Sequence, residues 1–248
     1  MPPAERHFPH MKRFWKSVLI LTGKAGYSIE LDGRPVKLPS GKPLALSSRP
    51  LAEAIAEEWQ MAPEQFLPDH LPLTRLASTA LERIAPHRDN ILDQLTAYGM
   101  NDLLCYRADP PGDLSIRQSK AWDPWLTWTQ KNYGIALRAT MGLVPINQPP
   151  GTREAFRGIL TAHSDDALAA LGVIVPALGS LVLGLAIAAM AFEPEAACAA
   201  SFLDELWQEE HWGADSEAVK RRTKIIEDVA VSARFMQLAA HESPAPPE

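Results

Sequence analysis

Cysteine is scarce in this chain: two in 248 residues, Cys105 and Cys198, with no CxxC pair. That excludes a disulfide framework and a cysteine-based zinc module, and it fits a reduced compartment. A GxGxxG loop is absent, and Gly23-Lys24 lacks the preceding glycine and following Ser/Thr of a phosphate-binding loop. The histidines at 7, 10, 70, 87, 163, 211 and 241 form no HExxH and no pair four residues apart. Gly179-Ser180 is not a GxSxG elbow, because the glycine stands directly beside the serine. Basic excess is missing too: 24 Lys and Arg against 30 Asp and Glu leave a net charge of -6, which argues against nucleic acid as a partner. No repeat of 20–50 residues runs through the chain. The opening MPPAERHFPHMKRFWK is too short and polar for a secretory signal and too proline-rich for an amphipathic transit helix, so a cytosolic chain is expected.

The residues that are present describe a globular protein. Hydrophobic residues make up 46% and charged residues 22%, enough for a core without covalent staples. Prolines number 22 against 14 glycines, which favours many short elements with stiff joints. Ala167 to Phe192 carries no charge over 26 positions, long enough to cross a bilayer. Pro176 divides the run, Ala, Gly and Ser dilute it, and its flanks are acidic (Asp165, Asp166, Glu193, Glu195), where a membrane span would carry Lys or Arg. No stable membrane insertion is expected; the run reads as a buried core helix in which Gly179 and Gly184 let neighbours approach.

The element pattern predicts an α+β protein: a small antiparallel β-rich N-terminal domain followed by a larger, mainly α-helical domain. Residues 1–50 form the β-rich region, which at its widest extends with helices to about 110; residues 111–241 form the helical domain, and 242–248 a disordered tail. Arg13 to Leu21, Tyr27 to Leu31, Arg34 to Leu38 and Leu44 to Leu46 read as strands, and Asp32-Gly33 signals a two-residue hairpin. Ser47 or Ser48 caps a helix to about Gln60. Further helices are expected from near Thr74 to before Pro86, over His87–Tyr98, and over Ser115–Tyr133 with Pro124 as an interruption. Beyond these, helices are expected over 152–162, 165–174, 177–191, 194–211 and 215–238.

Candidate chemistry is thin. His70 stands beside Asp69 without a placed nucleophile, Cys105 reads as a packed thiol, and adjacent acids such as Glu57/Glu58 and Glu209/Glu210 point to different helix faces rather than forming a dyad. Charge is unevenly spread: Met1 to Pro50 holds nine Lys/Arg and three Asp/Glu, whereas Glu193 to Glu217 holds eight acids and no Lys or Arg. On a helix over 194–211, Cys198, Ala199, Phe202, Leu203, Leu206 and Trp207 form an apolar stripe, with Glu205 and Glu209 on the opposite side, Asp204 on the flank and Glu210 at the stripe's edge. A solvated helix face accounts for such a block; the functional reading is a docking surface for a basic or amphipathic segment. Trp122, Trp125 and Trp128 share one broad helix side, as core or as contact surface.

Several strings, in order from about Arg13 to Phe235, resemble one family. Leu71-Pro72-Leu73-Thr74-Arg75-Leu76-Ala77-Ser78-Thr79-Ala80 is similar to the signature of the F1-ATP synthase assembly chaperones that bind the alpha subunit. Leu31-Asp32-Gly33-Arg34 with Pro43-Leu44, Ala54-Ile55-Ala56-Glu57-Glu58-Trp59 and Asp102-Leu103-Leu104-Cys105-Tyr106-Arg107 share the likeness. So do Trp122-Asp123-Pro124, Leu178 to Gly184, and Leu203-Asp204-Glu205 leading to Trp212-Gly213. The resemblance implies a β-rich domain followed by a helical one, and a non-enzymatic, cofactor-free chaperone. Such a protein holds free F1 alpha subunit and shields its interface until beta replaces it. It also implies that acidic positions of the helical domain bind the partner, foremost Glu205 and Asp215, then Glu209 and Glu217, with Asp204 and Trp212 beside them. Eukaryotic relatives act in the mitochondrial matrix; without a presequence this chain looks like a bacterial, cytoplasmic member. The competing readings are a small-molecule enzyme with a cleft between domains, marked by a buried polar cluster around His70, Asp102 and Cys105, and a peripheral membrane protein using 167–192.

Overall fold

A computed structural model describes residues 11–23, 26–110, 112–142 and 145–240. The expected disordered tail at 242–248 lies outside the described residues, as do His7, His10, Lys24 and His241. The fold is α+β, with small antiparallel sheets near the N-terminus and helices thereafter. The chain divides into two compact units, Met1–Arg83 joined by Gln237–Glu248, and Ile84–Met236. Pro110 and Gly112, where the sequence suggested a break, lie inside the second unit.

In the first unit the strands are β1 (Met11–Lys12), β2 (Val18–Gly23), β3 (Gly26–Leu31), β4 (Arg34–Pro35) and β5 (Ala45–Leu46), followed by α1 (Arg49–Met61), β6 (Gln65–Phe66) and α2 (Pro72–Thr79). β2 and β3 pair antiparallel from Val18↔Leu31 to Gly23↔Gly26, and β4 and β5 both pair with β3. Asp32 (φ 49°) and Gly33 (φ 78°) form the expected hairpin turn with two left-handed residues. The Asp32 carboxylate accepts from the Lys16 and Ser17 amides and the Ser17 hydroxyl, which holds its pKa below the usual carboxylate range. The first strand is shorter than the sequence suggested: regular pairing starts at Val18 rather than Arg13. The Arg13 amide donates instead to the Glu64 carbonyl, and the Trp15 ring is buried with its Nε1 on the Trp59 carbonyl. β4 ends at Pro35, where an amide donor is missing, although Val36 still donates to Ile29.

Ser48 caps α1 by accepting from the Leu51 amide, and its hydroxyl donates to the Leu238 carbonyl. α1 buries Leu51, Ala52, Ala54 and Ile55, and α2 buries Leu73, Leu76 and Ala77. The Glu58 carboxylate of α1 accepts from the Leu73 and Thr74 amides at 2.6 and 3.0 Å, supplying the acceptors that these first-turn amides of α2 lack within their own helix. Two of the family-like strings, Ala54 to Trp59 and Leu71 to Ala80, are therefore the two halves of one capped helix junction.

The second unit contains α3 (Arg88–Met100), β7 (Tyr106–Arg107), α4 (Asp113–Tyr133), β8 (Thr140–Met141), α5 (Thr152–Thr161), α6 (Asp165–Leu178), α7 (Leu181–Ala188), α8 (Pro194–Ser201) and α9 (Leu203–Trp212). It also contains α10 (Ser216–Ala240) as far as Met236. Three expected helix boundaries moved. α4 continues through Pro124, and α6 continues through Pro176; the break falls instead at Gly179-Ser180. Gly179 adopts φ 62° as the C-terminal cap of α6, and the Ser180 hydroxyl accepts from the Leu183 amide to start α7. Gly179 is thus a helix stop rather than a close-packing position. Gly184 does serve that purpose: a Cβ there would lie 2.7 Å from Val175 Cγ2. The uncharged run is core, with Leu168 to Leu171 and Leu181 to Ile187 buried, and no helix among the described residues is long and apolar enough to cross a membrane.

Candidate partner-binding surface

The helix expected over 194–211 is two helices. Phe202 (φ -88°, ψ 10°) ends α8 and starts α9, which shifts the phase of the stripe. Cys198 and Phe202 are buried as expected, but Ala199 is exposed, no residue of α9 is buried, and Leu206 is 37% exposed. The face that turns inward carries carboxylates. Glu205 pairs with Arg221 at 2.6 Å and with Arg222 at 3.2 Å, and Glu209 pairs with the other terminal nitrogen of Arg222. The Arg222 side chain is only 8% exposed, so its charge is compensated by this pair of acids one helical turn apart. Both carboxylates raise the Arg222 pKa, Glu209 the more strongly.

The remaining polar atoms of α9 tie it to α4. Asp204 accepts from Gln118 Nε2 at 2.8 Å, while Gln118 Oε1 takes the Ala108 amide. Glu210 pairs with Arg117 at 2.6 Å, and Arg117 also reaches Asp113, which accepts from Trp207 Nε1. Glu210, placed at the stripe's edge by periodicity, is outward and ion-paired.

The other expected residues gather at the turn after α9. Trp212 is 73% exposed, with the Trp207 ring edge-on to it at 5.6 Å. Gly213, at φ 92°, turns the chain, and the Asp215 carboxylate accepts from the Glu217 amide at the start of α10. Glu217 is exposed and pairs with Lys220 at 3.0 Å. The six expected partner residues thus divide: Asp204, Glu205 and Glu209 are engaged within the unit, while Asp215, Glu217 and Trp212 lie at the exposed turn after α9.

The polar group that sequence reasoning undervalued is Asp102. It is fully buried and accepts from the Ser180 hydroxyl (2.7 Å), the Val182 amide (3.0 Å) and the Leu104 amide (3.1 Å). Burial pushes its pKa up to about 6, against the pull of these hydrogen bonds. Cys105, also buried, receives Gln148 Nε2 at 3.6 Å, and desolvation, reinforced by Asp102, pushes its thiol up to about 12. A carboxyl enclosed by helix-capping donors is suited to holding α7 in place, and a thiol that burial keeps protonated is a poor nucleophile. His70 is exposed and accepts from the Leu67 amide. Among the described residues no group of three or more His, Cys, Asp or Glu is placed to hold a metal ion. Arg107 stacks over Trp122 at 5.1 Å and pairs with Asp123 at 2.8 Å, so the family-like strings at 102–107, 122–124 and 178–184 are mutual packing partners.

Comparison with known proteins adds a second line of argument. A family model described as ATP12 chaperone protein matches residues 12–130. Mitochondrial atp12 of Schizosaccharomyces pombe is 28% identical over 222 residues, which cover 85% of this chain and 76% of the relative. The crystal structure of Atp12 from Paracoccus denitrificans is 38% identical, with a TM-score of 0.89 over 92% of this chain and 98% of that one. A chaperone-like protein of Agrobacterium tumefaciens is 34% identical, with a TM-score of 0.88 over 92% of this chain and 86% of that one.

Proposed function

The chain belongs to the ATP12 chaperone family, and on that premise we propose that it assists assembly of the F1 sector of ATP synthase by holding free alpha subunit until beta takes its place. The observation that carries this reading is the likeness to Atp12 of Paracoccus denitrificans over 92% of the chain, which takes in both compact units. A ring subunit on its own exposes apolar interface and is prone to aggregate. A holder needs a surface of moderate affinity and no chemistry, and release follows when beta binds the same surface more tightly. The buried, helix-capping Asp102 and the protonated Cys105 favour this non-enzymatic reading.

In this proposal the tip of the α9–α10 turn makes first contact. Trp212 supplies an exposed aromatic anchor, with Asp215 and Glu217 beside it to meet basic residues of the client. Glu205 is 40% exposed and already shares its charge with Arg221, so a client arginine can replace Arg221 while Arg222 stays in place. Glu209 and Asp204 support the surface from within by fixing Arg222 and Gln118.

Co-expression of tagged protein with untagged alpha, and separately with beta, tests the reading. A soluble complex with alpha alone, weakened by Asp215→Lys or Glu205→Lys, is expected. Recovery of neither subunit, with alpha solubility unchanged, would overturn the function; binding indifferent to both substitutions would overturn the site.

A further inference from the structure

Two acids of the proposed client surface do not stand free in the isolated chain. The first turns of α10 supply each with a cation: Lys220 pairs with Glu217 at 3.0 Å, and Arg221 pairs with Glu205 at 2.6 Å. Arg222, the next residue, also reaches Glu205, at 3.2 Å, and holds Glu209. These three neighbours differ in exposure. The Lys220 and Arg221 side chains are 74% and 56% exposed, whereas that of Arg222 is 8% exposed. Arg222 belongs to the fold, because it compensates Glu205 and Glu209 from the buried side. An exposed pair such as Lys220–Glu217 or Arg221–Glu205 contributes little to stability. What Lys220 and Arg221 change is the charge that Glu217 and Glu205 present to an arriving protein.

The Glu205 carboxylate is also only half used. Both arginines donate to Oε2, and among the described residues no donor reaches Oε1. Its side chain is 40% exposed, so a guanidinium arriving from solvent can take both oxygens once Arg221 withdraws. An ammonium group makes only a single-point contact there. Neighbouring charges are committed elsewhere: Glu209 to Arg222, Asp204 to Gln118, Glu210 to Arg117, and Lys224 to Glu227 and Asp228 of its own helix. Glu205, Glu209 and Trp212 follow one another along α9 at spacings of four and three, so the exposed indole lies on the same face as Glu205. We propose that Lys220 and Arg221 are a built-in competitor for the basic residues of the client. They neutralise Glu217 and Glu205 in the free chain and give way when an arginine-bearing segment docks. The proposal rests on the assembly-chaperone reading and adds a regulation of the same surface, an internal occupant that sets its affinity. An uncovered acidic surface would attract basic segments indiscriminately. With the competitor in place, a segment that also covers the Trp212 ring is favoured over one that offers charge alone.

The test uses the full chain and two short synthetic peptides, one alternating alanine with arginine and the other alanine with lysine, followed by fluorescence anisotropy. Arg221→Gln is expected to bind the arginine peptide about threefold more tightly than wild type. Lys220→Gln combined with Arg221→Gln should bind it about tenfold more tightly. The gain should be smaller for the lysine peptide and should shrink as salt is added. Lys224→Gln removes the same charge one turn further along α10 and should leave binding within about twofold of wild type. In a Glu205→Gln background, Arg221→Gln should give no gain beyond that of Lys224→Gln, because the carboxylate it would uncover is gone. The proposal is overturned by unchanged or weaker binding in Arg221→Gln, by a gain that persists without Glu205, by an equal gain from Lys224→Gln, or by peptides that do not bind. Co-expressed alpha separates this from the broader reading, and should stay on the double variant at a salt concentration that releases it from wild type. If neither protein recovers alpha while the peptide gain holds, the assembly function falls and the competitor stands. If alpha is recovered and the peptide gain is absent, the competitor falls alone.

Discussion

α7 and α9 are helices of similar length, eight and ten residues, and they are held in opposite ways. Every residue of α7 from Leu181 to Ile187 is buried, whereas α9 buries none. α7 is fixed by apolar packing and by the Asp102–Ser180 pin at its start; α9 is fixed by ion pairs to α10 and by polar contacts with α4. Apolar packing is dense and tolerates little change, while surface ion pairs are individually weak and can exchange partners. That difference divides labour within one unit: α7 is held by the core, while α9 is held by contacts that the proposed client contact could exchange without opening the core.

The widest gap between the two helices should come from truncating comparable leucines. Leu181→Ala is expected to cost about 3 kcal/mol in urea denaturation, since it leaves a cavity, while Leu206→Ala should cost less than about 1 kcal/mol. A similar cost for both would mean that α9 is packed as tightly as α7.

Next is Arg222, the buried cation that ties α9 to α10 through Glu205 and Glu209. Arg222→Ala leaves Glu209 without its cation and Glu205 with Arg221 alone, and a loss of roughly 2 kcal/mol is expected. Arg221→Ala, at an exposed position, should cost less than about 0.5 kcal/mol. Equal losses would show that the two arginines share the load.

The pin under α7 should reveal itself through pH. Burial pushes the Asp102 carboxyl up to about 6, from an ordinary value of 3.8, so the folded state holds the proton more tightly. Its contribution is fully present below the unfolded value and is lost as pH rises through about 6. Wild-type stability should therefore fall across that window, by up to about 1 kcal/mol per pH unit, relative to Asp102→Asn. Parallel pH profiles for the two proteins would show that the carboxyl is ionised in the folded state at low pH as well. The smallest effect on stability is expected at the tip: Trp212→Ala should leave the melting temperature within about 2 °C of wild type. Recovery of alpha should nevertheless fall about tenfold or more, as for an aromatic anchor.

Much of the fold was legible in the residues because it follows from local chemistry. Asp32-Gly33 permits a tight hairpin, and Ser48, one of the two expected candidates, caps α1. The uncharged stretch had to be buried. The misplaced boundaries are instructive. Pro124 and Pro176 have the chemistry of helix breakers, yet both sit inside helices whose packing outweighs the lost hydrogen bond. The acidic residues near the end of the chain were visible as a cluster, but their division into inward and outward groups was not. One joint at Phe202 rotates α9 relative to α8, and periodicity cannot be carried across such a joint.

What this sequence determined by itself was the α+β composition, the burial of most positions from Leu168 to Ile187, the tight turn at Asp32-Gly33, and the ordered strings that mark the family. What only the tertiary structure decided was which polar side chains meet: Glu58 with the start of α2, Asp102 with the start of α7, and Glu205 and Glu209 with Arg222. Local propensity acts over a few neighbouring residues, so it is written along the chain. A buried hydrogen bond or ion pair depends on two distant segments arriving within about 3 Å of each other, and apolar packing brings them there.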